Sequence, residues 1–247
     1  MPGIQDREGQ KCYHISHLSS FENPLKYPGK LITLEGLDGS GKSTQLALES
    51  DRLRGKGLRV TTTREPGGTA VGQQVRDILL QMQRETVTPL TELALMFAAR
   101  GQHIEQVILP ALRAGQLVLC DRFTDSSVAY QGYGRGIELE LVSGFEKLLC
   151  QGIRPDLTVI LEIDPATGAR RTSHRNRAAS ELPTRFEQEG IEFFERVRRG
   201  YREIAQQEPA RVRLVDGQGS IAEVHERIQQ VVDEFLRTTG MVSSDGI

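Results

Sequence analysis

Nine consecutive residues constrain this chain more than any other part of it. Gly36-Leu37-Asp38-Gly39-Ser40-Gly41-Lys42-Ser43-Thr44 fits the phosphate-binding pattern G-x-x-x-x-G-K-[ST]. The run before it, 30–35 (KLITLE), reads as a strand. The run after it, 44–55, carries Leu46, Leu48 and Leu53 at helical spacing and stops at Gly55. Strand, glycine loop and helix in that order give the pattern physical meaning. The glycines let successive backbone N–H groups face one centre, and the helix N-terminus adds partial positive charge. Lys42 then reaches the outer phosphates and Ser43 is placed to ligate Mg²⁺.

The pattern continues as alternating strands and helices. Strands are expected at 58–63, 117–120, 157–163 and 212–215, and helices at 70–82, 88–109, 139–150, 184–207 and 221–236. The stretches 131–136 and 166–183 read as irregular, the first punctuated by glycines and the second short of apolar residues and rich in arginine. Strands made of Val, Ile and Leu and separated by helices predict an α/β fold, a five-stranded parallel sheet flanked by helices with right-handed crossovers. Ligands in such sheets sit beyond the carboxyl ends of the strands. The polar clusters fall there: 38–43, Arg64 with Glu65, Asp121 with Arg122, and Asp164 with the arginine tract. Residues 1–29 read as a loose extension, 30–238 as one domain with a lid at about 166–185, and 239–247 as a tail.

Composition excludes several classes. The 247 residues carry a net charge of −2, so no global field draws nucleic acid or an anionic membrane. The cysteines Cys12, Cys120 and Cys150 are odd in number and match no zinc or redox spacing. They suit a reducing, cytoplasmic setting. No apolar run reaches the length needed to span a bilayer.

A phosphate loop alone serves switches, motors and kinases, so the residues facing it must decide. Arg64, Arg100 and Arg122 each lie where a chain segment meets the crevice, and guanidinium forks suit a second phosphate. Taken singly, each reads equally as a structural ion pair. Phe97 and Arg100 share a helix face, which sets a ring beside a cation as a seat for a base, although an ordinary core Phe fits the same spacing. Asp121 ends an apolar strand, as a carboxylate that positions Mg²⁺ does, or it caps a turn. The tract 170–177, with Arg171, Arg175 and Arg177, closes over a transferring phosphoryl group or is a solvated loop.

Four segments together resemble one family, the thymidylate kinases, which move the γ-phosphoryl group of ATP to dTMP. They are 35–44, Thr63-Arg64-Glu65-Pro66-Gly67-Gly68-Thr69, Leu95-Met96-Phe97-Ala98-Ala99-Arg100-Gly101-Gln102-His103, and the segment 121–132 that opens Asp121-Arg122-Phe123. The resemblance covers roughly 29–236. It implies the three-layer nucleoside monophosphate kinase fold, ATP and dTMP as substrates, Mg²⁺, and commonly a homodimer, with the 88–109 and 139–150 helices as candidate interface.

By position, the resemblance implies that Phe97 stacks on thymine and that Arg64, Arg100 and Arg122 hold the dTMP phosphate. Ser127 and Gln131 lie near the base, Tyr130 packs on the deoxyribose, and Asp38 lies near the acceptor's sugar and phosphate. Glu65 belongs to the same substrate set. Lys42, Asp38 and Arg122 are the expected catalytic groups. Some members carry a catalytic arginine in the phosphate loop and others in the lid. Here the loop position is Gly39, so Arg171, Arg175 or Arg177 is expected to supply it. Two rivals stay open. A deoxynucleoside kinase would use Glu65 as a base on a sugar hydroxyl, and a nucleotide switch would need no acceptor pocket.

Overall fold

A computed structural model describes residues 27–81, 87–180 and 182–241. Among them five strands form one parallel sheet in the order β2-β3-β1-β4-β5. The strands are β1 (Lys30–Gly36), β2 (Val60–Arg64), β3 (Leu117–Asp121), β4 (Leu157–Glu162) and β5 (Val212–Asp216). β1 lies at the centre, paired with β3 from Lys30↔Leu117 and with β4 from Ile32↔Leu157.

Alternation along β1 builds the layers, because successive side chains of a strand point to opposite faces. Ile32 and Leu34 pack with Leu46 and Leu53 of α1 (Lys42–Gly55) and with Val224, Ile228 and Val232 of α9 (Ile221–Thr238). Leu31 points the other way, toward Leu93 and Phe97 of α3 (Pro89–His103) and Val142 of α6 (Leu139–Leu149). α8 (Ile191–Gln207) covers the rest of that face through Val197, Tyr201 and Ile204. Thr33 and Glu35 share the face of Leu31 and are also fully buried. Their polar groups must therefore find partners inside the protein.

The structure departs from the sequence reading in four places. The expected helix at 88–109 is α3 followed by a π-helical segment, Ile104–Ile108, and the short α4 (Leu109–Arg113). Pro110 has no N–H to give, and its ring presses on the carbonyl four residues back, so the helix widens there instead of continuing. The stretch around 131–136 is also helical, a π segment Val128–Gly134 after α5 (Thr124–Ser127). Its glycines are packing residues. A Cβ at Gly132 would lie 2.6 Å from Leu139, and one at Gly134 would lie 2.7 Å from Phe193.

The third departure is the expected lid loop, which is α7 (Pro165–Ala179). Asp164 caps it by accepting a hydrogen bond from the Thr167 N–H at 2.9 Å, and Pro165 fits the first helical turn. Its buried stripe is Gly168, Thr172 and Asn176, spaced by four but hardly apolar. The helix predicted at 184–207 starts later, at Ile191 after Gly190. α2 (Ala70–Gln81) follows the second strand as expected.

At the chain ends, Tyr27 packs on the core and the Gly29 N–H donates to the Leu112 carbonyl at 3.0 Å. The expected extension otherwise lies at 1–26, outside the described residues, as do 242–247 of the expected tail. Among the described residues no helix is long and apolar enough to cross a membrane.

α9 begins with a reciprocal cap in which Ser220 and Glu223 bond each other's backbone N–H. Ser220→Ala is expected to remove about 1 kcal/mol of stability, read as a fall in Tm of about 2–4 °C. An unchanged melting curve would show that the cap contributes nothing.

Candidate active site

At the carboxyl end of β1 the chain turns through Gly39 and Gly41, at φ 79° and 97°, into α1. This left-handed backbone is open to glycine and strained for other residues. Lys42 curls back over the loop, its Nζ donating to the carbonyls of Gly36 at 3.1 Å and Leu37 at 2.9 Å and lying 3.5 Å from Ser40 Oγ. Burial, and after it Arg122, lowers its pKa to about 8, against the raising effect of Asp121 and Asp38. Ser43 Oγ donates to Asp121 Oδ2 at 2.7 Å. A hydroxyl and a strand-end carboxylate thus meet beside the loop, a hard-oxygen pair that fits Mg²⁺, which takes few protein ligands and completes its shell with phosphate and water. With Thr44, these residues line the phosphate-loop side of a cleft.

The cleft continues into a pocket on the other side of Asp38 and Arg122, and Glu65, Arg76 and Leu80 line both halves. Arg122 carries φ 73°, outside the usual region for a non-glycine residue. Its Nη2 donates to Asp38 Oδ1 at 2.7 Å and Tyr130 Oη at 3.1 Å, and its guanidinium lies 4.8 Å from the Tyr130 ring centroid. Burial raises the Asp38 pKa, but Arg122 and Lys42 outweigh it and hold the carboxyl below its ordinary value.

Arg100 is almost fully buried. Its Nε donates to Glu65 Oε2 at 2.6 Å, Nη1 to Ser127 Oγ at 3.1 Å and Nη2 to the Phe123 carbonyl at 3.0 Å. His103 holds the other Glu65 oxygen at 2.8 Å and meets Thr63 Oγ1 at 2.6 Å. Arg64 reaches the phosphate-loop half from β2, with Nη2 3.4 Å from Gln73 Oε1. The three arginines therefore face one cleft with Lys42. Ser127 and Gln131 line the pocket, and Gln131 also donates to the buried Glu92 at 2.8 Å.

Two expectations need correction. Phe97 does not face the cleft: it is fully buried and stacks on Phe145 at 5.7 Å, with the Arg100 guanidinium 4.5 Å from its centroid. Met96, one residue earlier and four before Arg100, lines the pocket instead. The spacing of four aligns a side chain with Arg100 slightly better than a spacing of three, and the π widening begins only after His103. Arg177 is the second correction. It is turned to Ser173 on its own helix, whereas Arg171 and Arg175 line the cleft. Arg171 Nη1 donates to the carbonyls of Gly39 and Gly217, both at 3.3 Å, and Arg175 pairs with Glu187 at 2.6 Å.

Sequence reasoning missed Arg76, Leu80 and Phe186. Gln73, Arg76 and Leu80 are spaced by three and four along α2, directly after the turn that carries Arg64, and that helical spacing was the available signal. Phe186 follows a charged stretch in which nothing in the pattern marks it. It packs edge-on against Tyr130 at 5.9 Å.

Comparison with known proteins decides among the phosphate-loop classes. The family model described as thymidylate kinase matches residues 34–228. The chain belongs to the thymidylate kinase family. It is 46% identical over 213 residues to the thymidylate kinase of Pelobacter propionicus, covering 85% of this chain and 97% of that protein. It is 48% identical over 209 residues to that of Methylococcus capsulatus, again covering 85% and 97%. The crystal structure of thymidylate kinase from Ehrlichia chaffeensis superposes with a TM-score of 0.67 at 34% identity, covering 83% of this chain and 98% of that one. The thymidylate kinase chain described here is thus a nucleotide-binding enzyme with the fold of its family.

Met96 and Phe97 separate pocket from core. Met96→Ala is expected to raise the KM for dTMP with little change in Tm. Phe97→Ala is expected to lower stability by about 3–5 kcal/mol. Equal melting points with equal KM values would show that neither assignment holds.

Beneath the site, burial and then the neighbouring Asp125 raise the Glu35 pKa from 4.5 to about 7, although Arg122 and the Ser126 and Phe123 hydrogen bonds act to lower it. A carboxyl raised in this way binds its proton more tightly folded than unfolded. Its contribution to stability is full below pH 4.5 and is lost as pH rises through about 7. Urea unfolding of wild type minus Glu35→Gln is expected to fall by about 2–3 kcal/mol between roughly pH 5 and 8. A difference independent of pH would rule out the shift.

Proposed function

We propose that this kinase transfers the γ-phosphoryl group of ATP to the phosphate of dTMP, giving dTDP and ADP in the supply of dTTP. The observation that carries the reading is the continuity of two seats. The phosphate loop opens directly, across Asp38 and Arg122, into a pocket with Arg100 at its wall and room between Leu80, Met96 and Phe186 for a base.

An acceptor phosphate is already ionised at neutral pH, so the reaction needs alignment and charge neutralisation more than a base. Lys42 and the loop N–H groups hold the donor's outer phosphates. Arg64, Arg100 and Arg122 hold the acceptor phosphate in line with them, and Ser127 and Gln131 meet the base. Tyr130, tied to Arg122, packs against the sugar where a 2′-hydroxyl would crowd it. Arg171 and Arg175 on α7 supply the charge that a loop arginine supplies elsewhere in the family. Mg²⁺, held by Ser43 and Asp121, would add neutralisation of the donor phosphates.

The deoxynucleoside kinase reading fits less well because Glu65, the base it would draft, is already bonded to Arg100 and His103. A switch has no use for the adjoining pocket. The homodimer stays part of the proposal, with Leu139, Leu141 and Leu148 of α6 exposed, as does a cytoplasmic location.

A coupled ADP-release assay with ATP and Mg²⁺ across dTMP, dUMP, thymidine, UMP, dCMP and AMP tests the assignment. Turnover is expected to be highest with dTMP, and Lys42→Ala is expected to lower kcat by about 10²–10³-fold. Faster turnover of thymidine than of dTMP, or ADP release independent of any acceptor, would replace this reading with one of its rivals.

A further inference from the structure

We propose that Glu35 is a positioning residue for Arg122, and that Ser126 and Tyr201 carry its effect to the guanidinium. The inference rests on the reading that Arg122 meets the acceptor phosphate. Glu35 itself is fully buried one residue before the phosphate loop and is not among the residues that line the cleft.

Every hydrogen bond to its carboxylate comes from a donor. The Phe123 N–H reaches Oε1 at 2.7 Å, while Ser126 Oγ at 2.5 Å and Tyr201 Oη at 2.9 Å both reach Oε2. An ionised carboxylate only accepts. The two hydroxyls also lie 3.0 Å from each other, so their protons point at Glu35 or across to the neighbouring hydroxyl and never at Arg122, which itself only donates, and hydroxyl lone pairs are left facing outward. They face Arg122 Nη1, at 3.1 Å from Ser126 Oγ and 3.3 Å from Tyr201 Oη. Nη1 carries two protons and meets two acceptors. On the far side, Nη2 is held by Asp38 and Tyr130. The plane of the guanidinium is thus fixed from both edges, and Glu35 sets the polarity of one of them.

The backbone repeats the arrangement. Arg122 sits at φ 73°, and the next N–H, that of Phe123, is the one that Glu35 accepts. The Arg122 N–H donates to the Leu34 carbonyl at 3.0 Å, one residue from Glu35 along β1. A left-handed arginine persists where its surroundings over-determine it. Here the end of β1 fixes the peptide on each side of it, and the Glu35 carboxylate does so on one of the two.

Gln at position 35 keeps the shape and presents an NH₂ to the hydroxyl pair. One hydroxyl must then accept from it and turn its proton toward Arg122, donor against donor. The test is steady-state kinetics of the full-length Glu35→Gln chain at about pH 8, where an acid with a pKa near 7 is ionised, varying dTMP and ATP separately. The KM for dTMP is expected to rise about tenfold or more, with the KM for ATP within about twofold. Tyr201→Phe, which keeps the ring and its packing, is expected to raise only the dTMP KM, by a smaller factor. The Tyr201→Phe and Glu35→Gln effects should be non-additive in the double variant, because both act on one guanidinium. An unchanged dTMP KM in Glu35→Gln overturns the proposal, as does a parallel rise in both KM values with a lowered Tm, which is the mark of a merely structural role. If Glu35→Gln fails to fold, an unchanged dTMP KM in Tyr201→Phe overturns it equally. Wild-type turnover of dTMP in the same assay separates this proposal from the functional reading, since its absence would remove both and its presence leaves only the role of Glu35 at stake.

Discussion

Gathering cations at one end of a sheet is the constraint from which the rest of this structure follows. Lys42, Arg64, Arg76, Arg100, Arg122, Arg171 and Arg175 all reach one cleft. At the low effective dielectric of such a place, like charges a few ångströms apart repel by kilocalories. Arg76 registers the crowding directly: burial, and next Arg64, lowers its pKa. The protein answers with carboxylates placed against individual cations, Asp38 on Arg122, Glu65 on Arg100 and Glu187 on Arg175. Each pair holds a guanidinium in one orientation at the cleft.

The same counterions tie distant segments together. Glu187 takes Arg175 and Asn176 of α7 and caps its own turn through the Thr184 N–H at 2.8 Å, which fixes the end of the lid to the segment that follows it. Glu92, fully buried in α3, receives Arg185, Arg135 and Gln131. A buried charge with several matched donors is tolerable, whereas the same charge with one donor removed is not. The pocket lined by Gln131 is therefore braced by the buried Glu92 cluster, and α7 is anchored through Glu187.

Much of this was legible in the sequence, because the phosphate loop and the strand ends carry their signal locally. Gly36 to Thr44, Arg64, Arg122 and Asp121 stand at the carboxyl ends of strands that runs of aliphatic and β-branched residues announce. What failed to show depended on contacts between segments. Phe97 looked like a base platform because a ring near an arginine has that use. Burial against Phe145 is a tertiary fact, and it leaves Met96 on the pocket wall. The helix α7 was hidden because its buried stripe is Gly168, Thr172 and Asn176, residues that carry no apolar signal. The partners of Glu35 are separated from it by 88 to 166 positions, beyond the reach of any local pattern.

The approach of α7 to the loop depends on two glycines. A Cβ at Gly39 would stand 2.5 Å from the Gly168 carbonyl oxygen, and one at Gly168 would stand 2.6 Å from the Asp38 carbonyl oxygen. Gly39 moreover sits at φ 79°, where other residues are strained. A side chain in the loop and a helix seated on the loop exclude each other. With Gly39 bare, α7 can settle until Arg171 donates to the Gly39 carbonyl itself. Glycine at both 39 and 168 is what lets the loop and α7 meet backbone to backbone.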